Sequence, residues 1–384
     1  MAFGDFTVDR NDKKYVLGSG GTIIEYAEDE PAFEFNADGS YKGLLVEPAA
    51  TNLAIQSEDL STDWTQTNVT VATDATTAPD GNTTADELRA NTTSQTYAVQ
   101  QGFTSTSANH TFSVFAKKDE LNYIQLSFAN TVNQYANFDL DLGVVGTKGT
   151  AANSSTIEDY GNGWYRCSVH INVGTIPSFG IAIVSSASAT WRQNVSAGSA
   201  TEGVFLWGAQ LETSPIATSY MPTTGSPFTR GKDEASMTNV SGLIGQKEGT
   251  LYVEVDFRRA TGTNQHLLSA SNGTVANVIL IYVIGGNTLM YIQAGGGVVL
   301  NTGASDLSDG IQKLAFAYAN GDQEFYRNGS SIATTTGSLA ALATLTDIDL
   351  GQDYAANVQA NMHIRAVQII PRRLSDAQLI ELTS

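Results

Sequence analysis

Residues 51–225 alternate between apolar and polar side chains with a period of two. In the segment 110–116, Phe112, Val114 and Ala116 fall on one face of the predicted strand. The same alternation recurs in the segments 123–128, 163–171 and 204–208. Because successive side chains of a strand point to opposite faces, this spacing predicts an antiparallel two-sheet sandwich, or jelly roll.

Residues 229–384 carry a second series of strand patterns. The predicted strands are 249–257, 278–284, 289–293, 313–318, 324–327 and 366–370. Asn328 and Gly329 mark a hairpin turn, and 374–382 is the one segment with a helical pattern, with Ser375 as its N-cap. Residues 224–232 are predicted to be the linker between the two sandwiches.

Residues 1–50 differ from both blocks because they are rich in Asp, Glu, Lys and Tyr and are interrupted by glycine turns. Fifty residues are too few to bury a core of their own, so we expect this segment to pack on a neighbour. That neighbour is either the next domain or another protein. The expected fold is therefore all-β, with a small N-terminal attachment or oligomerisation arm (1–50), a jelly-roll domain (51–225) and a second antiparallel β-sandwich (229–384). A plain N-terminal extension is the alternative for residues 1–50.

Composition removes several classes of function. The formal net charge is −19 and only 15% of the residues are charged, so we expect neither nucleic acid nor an anionic membrane surface as a partner. A single cysteine, Cys167, excludes an internal disulfide. No stretch reaches the roughly 18 apolar residues of a membrane span. The first 20 residues have no apolar run, so we expect no signal peptide and synthesis in a reducing cytoplasm.

Two motifs resemble a family of known proteins. They are 43–53 (GLLVEPAATNL) and 208–212 (GAQLE) followed by 217–223 (ATSYMPT). With Trp64 and the segments 77–81, 84–86, 112–117 and 161–166, they resemble the carbohydrate-binding-module-like jelly roll of tailed-bacteriophage tail, fibre and head-decoration proteins. The segments 314–318, 325–330, 362–370 and 373–378 resemble concanavalin A-like, laminin G-type domains.

The resemblance implies a virion surface protein that recognises host-surface glycans during adsorption without catalysis. It implies attachment to other virion proteins through residues 1–50, a homo-oligomer with a trimer as the default, and structural Ca²⁺ as a possible ligand. A structural role, as a capsid-decoration or fibre-adaptor protein that binds only virion proteins, stays open as the first alternative. A polysaccharide-degrading enzyme is the second.

Sugar recognition needs aromatic faces for stacking and planar polar groups for hydrogen bonds. Trp191 lies in a polar setting beside Arg192 and Asn194, and Tyr135 lies in a similar one. These four residues are the predicted carbohydrate site. The alternative is that both aromatic rings are half-buried strand residues that pack across a sheet.

Three acidic residues are the predicted metal site. Asp347 and Asp349 share one strand face and Asp353 follows closely. Carboxylate oxygens are the ligands that Ca²⁺ prefers. The alternative is a solvated strand edge whose charges discourage edge pairing.

Glu254 and Asp256 are the candidate residues for the enzymatic alternative. Their spacing matches the first two acids of the Glu-x-Asp-x-x-Glu motif that some glucanases of the concanavalin A-like fold use. Arg259 stands where the last glutamate of that motif belongs. The remaining pair lacks one of the two catalytic roles, so we expect no enzymatic activity.

Overall fold

The computed structural model describes residues 5–91, 96–105, 107, 109–128, 132–172, 174, 176–193, 201–257, 264–285, 287–304 and 308–384. Within these residues the protein is all-β with one short helix, which confirms the predicted fold class. The first strands are β1 (Thr7–Asp9), β2 (Lys14–Leu17), β3 (Ile23–Tyr26), β4 (Phe33–Phe35), β5 (Tyr41–Val46), β6 (Ala50–Asn52), β7 (Thr65–Thr67), β8 (Val69–Thr76), β9 (Ala85–Ala90), β10 (Tyr97–Ser105), β11 (Asn109–Lys118), β12 (Tyr123–Phe128), β13 (Tyr135–Asp139), β14 (Val144–Lys148) and β15 (Ala152–Asp159).

The remaining elements are β16 (Trp164–Asn172), β17 (Ile176–Ile183), β18 (Gly203–Glu212), β19 (Phe228–Arg230), β20 (Glu234–Met237), β21 (Glu248–Phe257), β22 (Gln265–Ser271), β23 (Val278–Ile284), β24 (Asn287–Ala294), β25 (Gly297–Ala304), β26 (Gly310–Ala319), β27 (Asp322–Arg327), β28 (Ser330–Thr335), β29 (Asp347–Leu350), β30 (Met362–Ile370) and α1 (Asp376–Thr383).

The first sandwich consists of two six-stranded sheets. Sheet I has the strand order β14-β13-β12-β17-β10-β7, and sheet II has the order β15-β16-β11-β18-β9-β8. The alternation read from 110–116 is confirmed, because Phe112, Val114 and Ala116 are all fully buried between the sheets. A core of this size stabilises the sandwich mainly by removing apolar surface from water.

The second sandwich consists of two seven-stranded sheets. Sheet III has the order β1-β20-β29-β22-β23-β24-β25, and sheet IV has the order β28-β27-β26-β21-β30-β5-β4. Helix α1 packs on sheet IV through the buried side chain of Leu379, and Leu374 before the helix joins the same cluster. Ser375 is the N-cap as predicted, and its backbone N–H donates to Gln378 Oε1 at 3.1 Å.

Three strands of residues 5–50 are part of this second sandwich. Strand β1 pairs with β20 at the edge of sheet III, whereas β5 pairs with β30 and carries β4 at the edge of sheet IV. Strands β2 and β3 form a separate hairpin. The N-terminal segment therefore packs on its own chain, and its attachment to a virion protein stays a prediction.

A buried ion cluster joins the N-terminal segment to the linker. It consists of Arg10, Lys14, Glu47, Arg230 and Asp233, whose side chains are at most 2% exposed. Asp233 accepts from Arg10 Nη1 at 2.9 Å and from Lys14 Nζ at 2.6 Å. Charges this deeply buried are tolerated only when they are paired and hydrogen-bonded, so the cluster ties these segments together.

The two motifs that carry the family resemblance interlock at the same junction. Asn52 Nδ2 donates to the carbonyls of Ala209 (3.1 Å) and Met221 (2.8 Å). Glu47 accepts from both the backbone N–H (2.8 Å) and the hydroxyl (2.7 Å) of Ser219. These polar side chains satisfy buried backbone groups, which gives the motifs a structural role in holding the jelly roll on the rest of the chain.

Candidate functional site

The outer face of sheet I is polar at its centre. Gln125 and Ser127 of β12 point outward, because the alternate residues of this strand are buried in the core. Their cross-strand partners on β13, Asn137 and Tyr135, lie on the same face. Gly180 of β17 is paired with Ser127 on the other side and adds no side chain above the sheet.

The chain that follows β17 folds back across this face and is held there by amide side chains. Gln125 Nε2 donates to the carbonyl of Thr190 at 3.1 Å, and Gln125 Oε1 accepts the backbone N–H of Arg192 at 2.7 Å. Asn137 Nδ2 donates to the carbonyl of Ala189 at 2.7 Å. The loop is thereby ordered over the sheet, and Trp191 and Arg192 are placed at its turn.

Arg192 and Trp191 form a stacked pair on this loop. The guanidinium carbon of Arg192 lies 5.1 Å from the centroid of the Trp191 ring, which is a cation–π distance. Arg192 Nη1 donates to Gln100 Oε1 at 2.8 Å, and Nε donates to Ser127 Oγ at 3.3 Å. Arg192 also has a φ of 42°, so this loop holds a side-chain-bearing residue in the left-handed region.

Two donors of this pair have no acceptor among the described residues. They are Trp191 Nε1 and Arg192 Nη2, and both are buried. Burial also lowers the pKa of Arg192 from its ordinary value. A buried donor without a partner costs about 1–3 kcal/mol, so a ligand that brings an oxygen acceptor to this point would bind with that penalty relieved.

The structure brings three of the four residues predicted as a carbohydrate site to one face. Trp191, Arg192 and Tyr135 are each half-buried, and Tyr135 lies opposite Ser127, which Arg192 contacts. Asn194 lies outside the described residues. What the sequence could not provide is the floor of amides and hydroxyls from β10, β12 and β13, because those residues are distant along the chain.

The three aspartates of the predicted metal site have separate contacts. Asp347 Oδ1 accepts the backbone N–H of Asn239 at 3.2 Å. Asp353 Oδ1 accepts that of Asn357 at 2.7 Å. Asp349 is buried and its Oδ2 has no partner among the described residues. Burial and the nearby charge of Asp347 raise the pKa of Asp349 to about 7. Ca²⁺ binding here stays a prediction.

A group of three carboxylates lies at a different place in the described part of the chain, with ligand oxygens within 4.8 Å of one another. They belong to Glu87, Asp119 and Glu120 at one end of the jelly roll. Arg89 already pairs with Glu87 at 2.7 Å, so this cluster is at least partly neutralised by the protein itself.

Glu254 and Asp256, considered for the enzymatic alternative, have different environments. Glu254 Oε1 is paired with Arg365 Nε at 2.8 Å, and its Oε2 accepts the Tyr252 hydroxyl at 3.3 Å. Asp256 lines a groove between the two sandwiches, and Arg259 lies outside the described residues. Both carboxylate oxygens of Glu254 are therefore engaged by neighbouring side chains.

An aromatic row on the outer face of sheet III is absent from the sequence-based predictions. The His266 and Tyr282 rings lie 5.5 Å apart, and those of Tyr282 and Tyr291 lie 6.4 Å apart. The signal was present in the alternation, since the neighbours of both tyrosines along β23 and β24 are buried in the core. Only strand pairing, however, places the three rings side by side.

Searches against known proteins place the chain in no family. No protein-family model matches the sequence, and no curated protein matches it either. No helix among the described residues has the length and apolar character needed to cross a membrane.

Several solved structures are similar to part of the chain. The CBM40 domain of the Ruminococcus gnavus IT-sialidase is 21% identical, with a TM-score of 0.32 over 38% of this chain and 86% of that one. A leech intramolecular trans-sialidase is 18% identical, with a TM-score of 0.30 over 36% of this chain and 23% of that one. The binding domain of botulinum neurotoxin serotype D/C is 13% identical, with a TM-score of 0.34 over 40% of each chain. TM-scores this low carry no argument about function.

Proposed function

We propose that this is a non-enzymatic carbohydrate-binding protein that uses the outer face of sheet I. The strongest support for the proposal is a pair of buried N–H donors without an acceptor among the described residues, Trp191 Nε1 and Arg192 Nη2. The indole ring of Trp191 is itself half-buried and leaves part of its surface exposed. Sugar hydroxyls supply acceptor oxygens, and the C–H face of a sugar ring stacks on an aromatic ring. Tyr135 adds a second half-buried ring on the same face.

We further propose that the carbohydrate is a host-surface glycan and that the protein acts on the surface of a tailed-bacteriophage virion. The motifs at 43–53 and 208–223 support this reading, because the bacteriophage jelly roll that they resemble is a module of adsorption proteins. A homo-oligomer, with a trimer as the default, would convert weak individual sites into strong binding through multivalency.

The test is binding of the purified, labelled protein to host cells, with and without competing surface polysaccharide. We expect saturable binding that the polysaccharide removes. Trp191→Ala should weaken this binding about tenfold, as the loss of a buried aromatic anchor does. Tyr26→Ala, which removes a half-buried ring from the β2–β3 hairpin, should leave it unchanged.

Two results would contradict the proposal. No binding by the folded native protein would favour the capsid-decoration or fibre-adaptor role. Binding that survives Trp191→Ala but is lost in Tyr291→Ala would move the site to the aromatic row of sheet III.

A further inference from the structure

A groove of about 500 Å³ separates the two sandwiches and lies apart from the Trp191 face. This volume falls in the range of about 300–1,000 Å³ that ligand sites occupy, and domain interfaces are a preferred place for such sites. Sheet II forms one side, the segment 215–219 borders it, and residues of sheet IV form the other side.

The floor of the groove is a set of polar rows on the outer face of sheet II. Strand pairing aligns Ser154 with His170, Thr156 with Ser168 and Glu158 with Arg166. Within the middle row, the Thr156 and Ser168 hydroxyls are 2.7 Å apart. The inner face of the same strands is apolar, so the polar rows belong to a surface that meets water or a ligand.

The opposite wall carries acids and amides from the second sandwich. Glu34 Oε2 lies 2.5 Å from His363 Nε2, and Glu34 Oε1 is 3.2 Å from Lys42 Nζ. Asp256 at the end of β21 and Asn361 just before β30 also line this wall. Glu34 is thus engaged by His363 and Lys42, and the wall presents the Asp256 carboxylate and the Asn361 amide to the groove.

Two donors at the groove lack an acceptor. Arg166 is only 6% exposed and donates through Nη1 to the carbonyl of Thr218 (2.7 Å) and through Nη2 to Ser113 Oγ (3.2 Å), yet its Nε has no partner in the described chain. Asn361 Nδ2, on the opposite wall, is likewise buried and unpartnered among the described residues. A ligand with acceptor oxygens could accept hydrogen bonds from both N–H groups.

The charge of the groove decides what kind of acceptor fits. Glu47 borders the groove but is already paired with Lys14 and Arg230. The other carboxylates of the lining outnumber its permanent cations, four against two: Glu34, Glu158, Asp256 and Asp309 against Lys42 and Arg166. An anionic ligand would meet like charges in a partly enclosed space, where they are weakly screened. This excess of carboxylates favours neutral acceptor oxygens.

We propose that this groove binds an uncharged oligosaccharide that contacts both sandwiches at once. Sugar hydroxyls both donate and accept, which matches a lining of hydroxyls, carboxylates and unsatisfied N–H groups. This inference rests on the proposed carbohydrate recognition and deepens it, because it adds a second subsite and names neutral rather than acidic sugars as the ligand.

The experiment titrates the full chain by calorimetry with three sets of tetrasaccharides. One set is uncharged (glucose, galactose, mannose and N-acetylglucosamine tetramers), one is anionic (sialylated) and one is cationic (glucosamine). We expect binding from the uncharged set. Thr156→Arg, an exposed change on an edge strand that fills the groove, should weaken it at least about tenfold by steric exclusion. Thr70→Arg, an equally exposed change on β8 at the opposite edge of sheet II and away from the groove, should leave it unchanged.

Asn361→Asp supplies a second variant of nearly the same shape. It removes the unsatisfied donor and adds a carboxylate, so it should also weaken binding of the uncharged ligand. Binding confined to anionic or cationic sugars overturns the inference, and so does the absence of binding from all three sets. Binding lost in Trp191→Ala but kept in Thr156→Arg overturns the groove subsite while the proposed function stands.

Discussion

The junction between the two sandwiches and the outer face of sheet III both bury carboxylates, but under opposite conditions. At the junction, Glu47 and Asp233 are surrounded by three cations and by N–H donors. On sheet III, Asp349 is 8% exposed, is close to Asp347 and Asp353, and leaves one oxygen without a partner among the described residues. Burial is similar in the two regions, whereas the partners differ.

The pKa values of Glu47 and Asp349 shift in opposite directions because their neighbouring charges differ in sign. Burial by itself would raise the pKa of Glu47, but the charges of Lys14 and Arg230, aided by hydrogen bonds, lower it to about 2. Burial raises the pKa of Asp349 to about 7, and the charge of Asp347 adds to the effect. Desolvation thus sets the cost of a buried carboxylate, and neighbouring charges decide whether that cost is offset.

The two groups affect stability in opposite directions and in adjacent pH ranges. Glu47 has a lowered pKa, so its stabilising contribution is present above about 4.5 and is lost as the pH falls towards about 2. Asp349 has a raised pKa and binds its proton more tightly when folded. Its ionisation therefore reduces stability as the pH rises from about 4 to about 7.

The largest effect is expected from Asp233→Asn, which removes one of the two anions of the buried ion cluster. Arg10 loses its ion-pair partner and Lys14 keeps only Glu47, and the free energy of unfolding should fall by about 3–5 kcal/mol at pH 7. All four tryptophans lie in residues 51–225, so tryptophan fluorescence follows the jelly roll alone while circular dichroism follows both sandwiches. We expect the two urea transitions to separate.

Asp141→Asn is the matched control for that change. Asp141 pairs with Lys118 on the surface, where a salt bridge contributes at most about 1 kcal/mol. A similar loss of stability in both variants would show that the buried ion cluster does not hold the junction.

A smaller effect of opposite sign is expected from Asp349→Asn. The amide has nearly the shape of the carboxyl group and carries no charge, so the variant should be more stable than the native protein by about 1–3 kcal/mol at pH 8. Below about pH 4, where Asp349 is protonated in both the folded and the unfolded state, the difference should vanish. Urea unfolding followed by circular dichroism at both pH values measures it, and stabilisation that is equal at the two values would refute the raised pKa.

The smallest effect is expected from Ser219→Ala, which removes one hydroxyl donor from Glu47. The backbone N–H of residue 219 remains, so the loss should be about 1–2 kcal/mol at pH 7. In a Glu47→Gln background the same change should cost less, because the hydrogen bond is no longer to a charged group. Unfolding followed by tryptophan fluorescence measures the loss of stability in both backgrounds. Equal losses would show that the Ser219 hydroxyl is not coupled to the charge of Glu47.

Local pattern was sufficient for much of the fold. Alternation predicted the buried face of β11, and the capping position of Ser375 and the hairpin at Asn328 followed from single residues. These features depend on neighbours within a few positions, which is the range over which side-chain direction and turn preference act.

Local sequence pattern predicted only part of the candidate site on sheet I. Trp191 and Arg192 were predicted because they are adjacent in a polar segment, and Tyr135 because of its similar setting. Gln100 and Ser127, which position Arg192, lie 92 and 65 residues away along the chain. Nothing in their local sequence separates them from other polar strand residues, so strand pairing alone assembles the face.

The sequence by itself therefore determined the class of fold and the two sandwiches, and it supplied the aromatic residues of the candidate site. Tertiary structure decided that β1, β4 and β5 of the N-terminal segment complete the second sandwich, and that polar rows from distant strands meet in a groove. The physical reason is that sheet edges are completed by whichever strand satisfies their hydrogen bonds. That choice depends on contacts across the whole chain and leaves no local trace in the sequence.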